Sequence, residues 1–142
     1  MLLLIAFAIA AAATLLLMWH VARRYPTAPK RVPLRIGIDG RPSKRFGPKA
    51  VLWLAPVVLA VTLAVLGIAL RLDPPEERVH LVLALALLTI AEVAVFTGWI
   101  IDRQIELARK MTYRIAPMRT LRASLPILFT VAVVLILAAR QT

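Results

Sequence analysis

Four continuous apolar stretches alternate with three polar ones, and that division predicts most of the architecture. The first stretch, "LLLIAFAIAAAATLLLMWHVA" over residues 2–22, contains no Asp, Glu, Lys or Arg. The second, "VLWLAPVVLAVTLAVLGIAL", covers 51–70, and the third, "VHLVLALALLTIAEVAVFTGWII", covers 79–101 with one acid, Glu92. The fourth is clearest in "SLPILFTVAVVLILAA", residues 124–139, and is placed from about 121. Crossing a bilayer takes about 20 residues of helix. A lipid-embedded backbone must satisfy its own hydrogen bonds, as helices or as strands of a closed barrel. Barrel strands alternate in polarity over about ten residues, whereas these runs are continuous. The expected fold is therefore an all-α integral membrane protein, a single domain over 1–142 with four transmembrane helices in an up-down bundle. The spans are placed at about 2–22, 51–70, 79–101 and 121–139, and the polar loops at 23–50, 71–78 and 102–120.

The polar stretches carry patterns of their own. In "PLRIGIDG", Leu34, Ile36 and Ile38 alternate with Arg35, Gly37 and Asp39, the two-residue period of an extended strand. Asp39-Gly40 supplies a turn, while Pro42 and Pro48 argue against a regular returning strand. "LDPPEER" reads as a tight helix–helix connection in which Asp73-Pro74-Pro75 ends one helix and starts the next. After the third span, "DRQIELARKMTYRIAP" continues as an amphipathic helix. Ile105, Ala108, Met111, Thr112 and Ile115 share one face and Arg103, Lys110 and Arg114 the other, until Pro117 stops or bends it. The expected role of that extension is to lie along the headgroups, its basic face on anionic lipid.

Composition agrees with the membrane reading: 61% of residues are hydrophobic and the mean hydropathy is +0.85, against about 45–50% apolar residues in soluble domains. The absence of cysteine excludes disulfides, thiolate metal sites and cysteine nucleophiles. A net charge of +11 would suggest nucleic acid in a soluble protein. Here only one aromatic residue, Tyr113, stands among the basic ones of the amphipathic extension, which makes no platform to stack successive bases, and no nucleic-acid partner is expected. Lys and Arg instead set orientation. Loops 23–50 and 102–120, with Arg122 just beyond the second, together hold fifteen of them and loop 71–78 two, so loops 23–50 and 102–120 are placed in the cytoplasm and both termini outside. Trp19, Trp53 and Trp99 all fall at span ends on that same side, as an interfacial belt would have them. The first span has no charge ahead of its apolar core and Arg23-Arg24 after it, the pattern of an uncleaved anchor rather than a cleaved signal.

Glu92 is the residue within the apolar zones that demands an explanation. It lies near the centre of its span, where a carboxyl group is expected to face other helices rather than lipid. It is either a hydrogen-bonded packing residue or a group that handles protons or cations. Thr14, Thr62 and Thr130 on other spans and Thr89 on its own are the candidate partners. His20 and His80 would lie at opposite faces of the membrane, so neither pairs with the other around a metal. The pairs Ala6/Ala10, Ala60/Ala64 and Ala94/Gly98 sit four apart, a spacing that lets helices approach closely. No Ser/His/Asp set, metal cluster or phosphate loop appears, so neither an enzyme nor a cofactor is expected.

The segment "APKRVPLRIGIDGRPSKRFGPKAVLWLAP" resembles the signature of a small bacterial membrane-domain family of unknown function, found at the N-terminus of SdpI-type bacteriocin immunity and signalling proteins. The resemblance runs through Ala28-Pro29, Val32-Pro33, Gly37-Ile38-Asp39-Gly40, Pro42, Phe46 and Lys49, with Pro56 early in the helix that follows. Arg35 stands where the family usually has histidine and Ser43 where it usually has an acid, so a metal or proton site at that pair is not carried over. The resemblance implies a bacterial inner-membrane protein that binds a peptide or protein partner. Two other readings are kept beside it, an accessory subunit of a larger membrane complex and a small proton-coupled transporter using Glu92. The basic residues expected to face a partner or anionic headgroups are Arg35, Arg41, Lys44, Arg45, Lys49, Arg103, Lys110 and Arg114. A homo-oligomer is compatible with the small-residue pairs.

Overall fold

The structure, a computed structural model, describes residues 1–36, 41–76, 79–109 and 117–139. Four helices carry most of these: α1 (Leu2–Arg24), α2 (Leu54–Leu72), α3 (His80–Arg109) and α4 (Pro117–Ala139). Three helical stretches, Leu2–Thr27, Lys49–Leu72 and His80–Arg109, are long and apolar enough to cross a membrane. The fourth expected span is a weaker match. The apolar part of α4 is Leu121–Leu137, about 26 Å of helix against a hydrocarbon core of about 30 Å.

The centre of the fold is the seam between α1 and α3. On α3, Ala84, Leu87, Ala91, Ala94, Ile101 and Ile105 are buried. With Gly98 in line, they alternate steps of three and four residues, the spacing of a coiled-coil seam. On α1, Ala6, Ala10, Thr14, Leu17 and Val21 are buried. Ala6 and Ala10 cluster with Ala84, Leu87 and Ala91, while Leu17 and Val21 cluster with Ala94, Ile101 and Ile105. The two helices therefore run in the same direction. A methyl group placed on Gly98 would stand 3.5 Å from Leu17 Cδ1, so the backbone of α3 passes close under that leucine. Ala94, buried, and Gly98 both lie on this seam.

Ala60 and Ala64 lie outside the two buried clusters. Ala64 is exposed and Ala60 half-exposed. Instead, α2 meets α1 through Leu63, Leu66 and Gly67. A Cβ on Gly67 would lie 2.9 Å from Phe7 Cζ, so the missing side chain is the space that the Phe7 ring occupies. α4 packs on the other flank, against α3.

The polar stretch after α1 folds back over the end of the α1–α3 seam. Tyr25–Thr27 form one 3₁₀ turn, then β1 (Arg31–Pro33) pairs antiparallel with β2 (Phe46–Pro48), and a second 3₁₀ turn, Lys49–Trp53, leads into α2. The sequence pattern argued against a returning strand, and this is corrected by the register. Leu34 N–H donates to Arg45 O at 3.0 Å and Lys49 N–H to Lys30 O at 3.1 Å. Hydrogen-bonded and non-hydrogen-bonded pairs alternate along an antiparallel ladder, so the pairs Arg31–Pro48 and Pro33–Phe46 are the non-hydrogen-bonded ones. Both prolines sit where an N–H would point away from the partner strand, and the ladder loses nothing. Pro42 lies beyond the ribbon in an isolated bridge with Ile36. The expected Asp39-Gly40 turn lies outside the described residues.

The ribbon is part of the core rather than an appendage. Val32 is fully buried, in the same cluster as Val21, Leu52, Ile101 and Ile105. Of the amphipathic face expected after the third span, Ile105 and Ala108 pack in the cluster that holds Val32 of the ribbon, while Met111, Thr112 and Ile115 lie outside the described residues. Gln104 Nε2 donates to Pro33 O at 3.0 Å, and an Arg109 guanidinium N–H donates to Thr27 O at 2.7 Å.

Candidate functional site

Glu92 lies on α3 one step round from the seam, in line with Leu88, Phe96 and Trp99 at helical spacing. These side chains, with Ile9 and Ala13 of α1 and Ala123, Pro126 and Ile127 of α4, line a lateral groove of about 600 Å³. Its walls are apolar apart from the carboxyl group. The proline within α4, Pro126, offers no N–H to the preceding turn and sits on the groove wall.

Of the four threonines that could have reached Glu92, one does. Thr130 Oγ1 donates to Glu92 Oε1 at 2.9 Å. Thr14, Thr62 and Thr89 each return their hydroxyl to the carbonyl four residues back, on Ala10, Val58 and Leu85, the ordinary way for a helical threonine to satisfy itself. Thr62 and Thr89, expected as intramembrane polar residues alongside Glu92, therefore make no contact with it. The second carboxyl oxygen, Glu92 Oε2, is buried with no hydrogen-bond partner among the described residues. An oxygen so placed costs about 1–3 kcal/mol unless something else meets it.

A second polar constellation gathers where α1 and α3 reach the ribbon. Asp102 Oδ1 stands 3.1 Å from His20 Nε2 and 3.1 Å from Arg24 Nε. The Arg23 guanidinium lies 4.7 Å above the Trp19 ring. Sequence reasoning missed this cluster because His20 and Asp102 stand 82 residues apart. The available signal was positional: each closely follows a tryptophan, Trp19 and Trp99, near the end of an apolar span, and parallel packing of those spans brings the two together.

The expected partner-facing basic residues divide. Arg35, Arg41, Lys44 and Arg45 are exposed around the far end of the ribbon. Lys49 is turned inward, with Nζ donating to Tyr25 O at 3.4 Å and standing 4.4 Å over the Tyr25 ring. Arg103 pairs with Glu106 and lies 5.7 Å from the Trp99 ring centroid. Both are thereby held by their own chain rather than offered to a partner. Lys110 and Arg114 lie outside the described residues. The tryptophans share one end of the molecule: Trp19 and Trp99 line a common groove, and Trp53 meets Tyr25 beside it at 6.3 Å between ring centroids. His80, at the opposite end of α3, has Nε2 3.1 Å from Pro75 O.

Among the described residues, no group of three or more His, Cys, Asp or Glu side chains is placed to hold a metal ion. No family model, no curated protein and no solved structure matches this chain.

Proposed function

We propose that the chain is a non-enzymatic, multi-pass protein of a bacterial inner membrane that binds a peptide or protein partner through the lateral groove beside α3. On this reading all four helices cross in an up-down arrangement. Residues 23–50 and 102–120 face the cytoplasm, following the Lys and Arg asymmetry, and both termini lie outside. The observation that carries the reading is Glu92: one carboxyl oxygen is held by Thr130 and the other is buried and unpaired, in a groove otherwise lined by apolar side chains. A partner segment that brings a donor to Oε2 and apolar side chains to the walls would satisfy both. This agrees with the immunity and signalling role that the ribbon segment's resemblance to SdpI-type proteins implies. An accessory subunit seated on a larger complex would use the same groove, its occupant then being a helix of a permanent neighbour. A proton-coupled transporter is the weaker alternative, because it rests on Glu92 alone.

The test is photocrosslinking in native membranes from a probe at Ile9, a residue 46% exposed that lines this groove. The reading expects an adduct of defined mass with a peptide or protein, lost when Glu92 is replaced by Leu. Adducts with lipid only, or a protein adduct indifferent to Glu92→Leu, would overturn it. Mild-detergent extraction and native mass then separate a transient peptide partner from a permanent complex.

A further inference from the structure

A second groove runs beside the first and ends differently. Its floor is made of small residues on the two seam helices, Ala13, Ala94 and Gly98, and its walls include Trp19 and Trp99; its volume is about 480 Å³. At the ribbon end it meets a polar cup lined by Trp19, His20, Arg23, Arg24 and Thr27. Trp19 and His20 line both, so the cup adjoins the groove.

We infer that this cup and groove form a binding site for one anionic glycerophospholipid, its phosphate in the cup and an acyl chain along the floor. Charge is the first argument. The cup carries two guanidinium groups, and Arg109 adds a third at its rim through Thr27 O. Asp102 offsets one of these charges, and in doing so engages Arg24 by its Nε edge. The terminal nitrogens of Arg24 are left clear of that contact, in a side chain 52% exposed, and a planar guanidinium fork suits phosphate oxygens. Depth is the second argument. From Trp19 to Ala13 the helix descends about 9 Å, and from Asp102 to Ala94 about 12 Å, most of one leaflet of a hydrocarbon core about 30 Å thick. Polarity is the third. The change from cationic cup to apolar floor falls at Trp19, with the Arg23 guanidinium above its ring, where an interfacial tryptophan marks headgroup depth. A headgroup and a tail attached to each other match that order of surfaces in that sequence. The site does not depend on which side of the membrane the ribbon occupies, nor on the partner proposed for the Glu92 groove.

The full-length chain, purified in mild detergent, is titrated with phosphatidylglycerol or with phosphatidylcholine of identical acyl chains, and bound lipid is counted by native mass spectrometry. One phosphatidylglycerol per chain is expected to bind in preference to phosphatidylcholine. Arg23→Ala combined with Arg24→Ala should weaken it about 30-fold, two near-surface charges removed. Leu16→Trp fills the groove below an unchanged cup from a residue 64% exposed, so it tests the tail without burdening the fold, and it should weaken retention as well. Lys30→Ala with Arg31→Ala, exposed at the ribbon, should leave affinity unaltered. Equal binding of the two lipids, no effect of Leu16→Trp, or the same loss in the ribbon variant as in the cup variant would each overturn the site and leave only general attraction to a basic surface.

Discussion

Glu92 can be tested for whether it holds the fold together or is held by the fold for another purpose. Replacing it with Met removes the carboxyl group and keeps an unbranched side chain that fills the same space. Two terms then compete. The bond from Thr130 Oγ1, 2.9 Å long, joins α4 to α3, and such bonds between helices in membranes contribute about 0.6 kcal/mol on average and at most about 1.7. Against it stands Oε2, buried without a partner, at a cost of about 1–3 kcal/mol. At the middle of the second range and the average of the first the second term is the larger, so Glu92→Met is expected to raise stability by about 1 kcal/mol, within about −0.7 to +2.4 kcal/mol at the extremes. Thr130→Val, which conserves shape and leaves both oxygens unpaired, should destabilise by about 1 kcal/mol. In the double variant the valine should cost almost nothing, giving a coupling of about 1 kcal/mol. The assay is equilibrium unfolding in mixed micelles, followed by the loss of helical signal, on the four proteins of the cycle. A Glu92→Met variant less stable than the wild type by more than about 1 kcal/mol would refute the reasoning. Glu92 would then be packing glue, satisfied by something beyond Thr130, and its claim as a partner-binding group would fall. Stability gained together with loss of the Ile9 crosslink is the signature of a residue kept for function at the expense of the fold.

Two other expectations can be checked in the same preparation. Ala94→Leu forces a larger side chain into a position 1% exposed, against Leu17, and should destabilise by about 1–3 kcal/mol; Ala64→Leu, on an exposed face, should change stability by less than about 0.5 kcal/mol. Gln104→Leu removes the tether to Pro33 O and leaves that buried carbonyl without its side-chain donor, so amide exchange across Val32–Leu34 and Arg45–Gly47 should speed by about tenfold while the exchange of α1 and α2 stays as it was.

The parts of this molecule legible in sequence are those set by one helix at a time. Unbroken apolar runs placed α1, α2 and the apolar body of α3, because hydropathy and length act locally. The fourth run was the least sharply bounded, clearest over 124–139 and placed from about 121, and its apolar part in the structure is Leu121–Leu137. What depends on the company of two segments was read less well. Ala60/Ala64 and Ala94/Gly98 look alike as small pairs four apart, yet only the second lies on a face that repeats in steps of three and four along the whole of α3. That longer period from Ala84 to Ile105 was the stronger signal. The ribbon was missed because proline was counted by presence rather than by register. Pro33 and Pro48 are harmless at non-hydrogen-bonded pairs, and a pairing scheme for 31–48 placing both prolines there would have identified it. Thr130 stood among four threonines that sequence could not rank, since only the packing of α4 on α3 decides which hydroxyl reaches the carboxylate.

The small residues that make the seam also make the grooves, and this connects folding with function in this chain. Alanine and glycine along α1 and α3 let the backbones approach, and close approach is what drives helix association where lipid is as apolar as leucine. The same substitution of methyl or hydrogen for a long side chain leaves the outer edges of the seam shallow. Large residues one step further round, Trp19 on α1 and Phe96 and Trp99 on α3, then stand up as walls. Phe96 and Trp99 brace each other at 5.8 Å between ring centroids, which fixes the wall that the Glu92 groove presents. Ala13 belongs to both grooves and packs against both core clusters. Two consequences follow from that placement. Enlarging Ala13 would disturb the seam and both grooves together, so it cannot report on either alone, whereas Ile9, exposed on the first groove only, and Leu16, exposed on the second only, can. And since α2 covers α1 while α4 covers α3, the furrow between α1 and α4 stays open to whatever the membrane or a partner supplies.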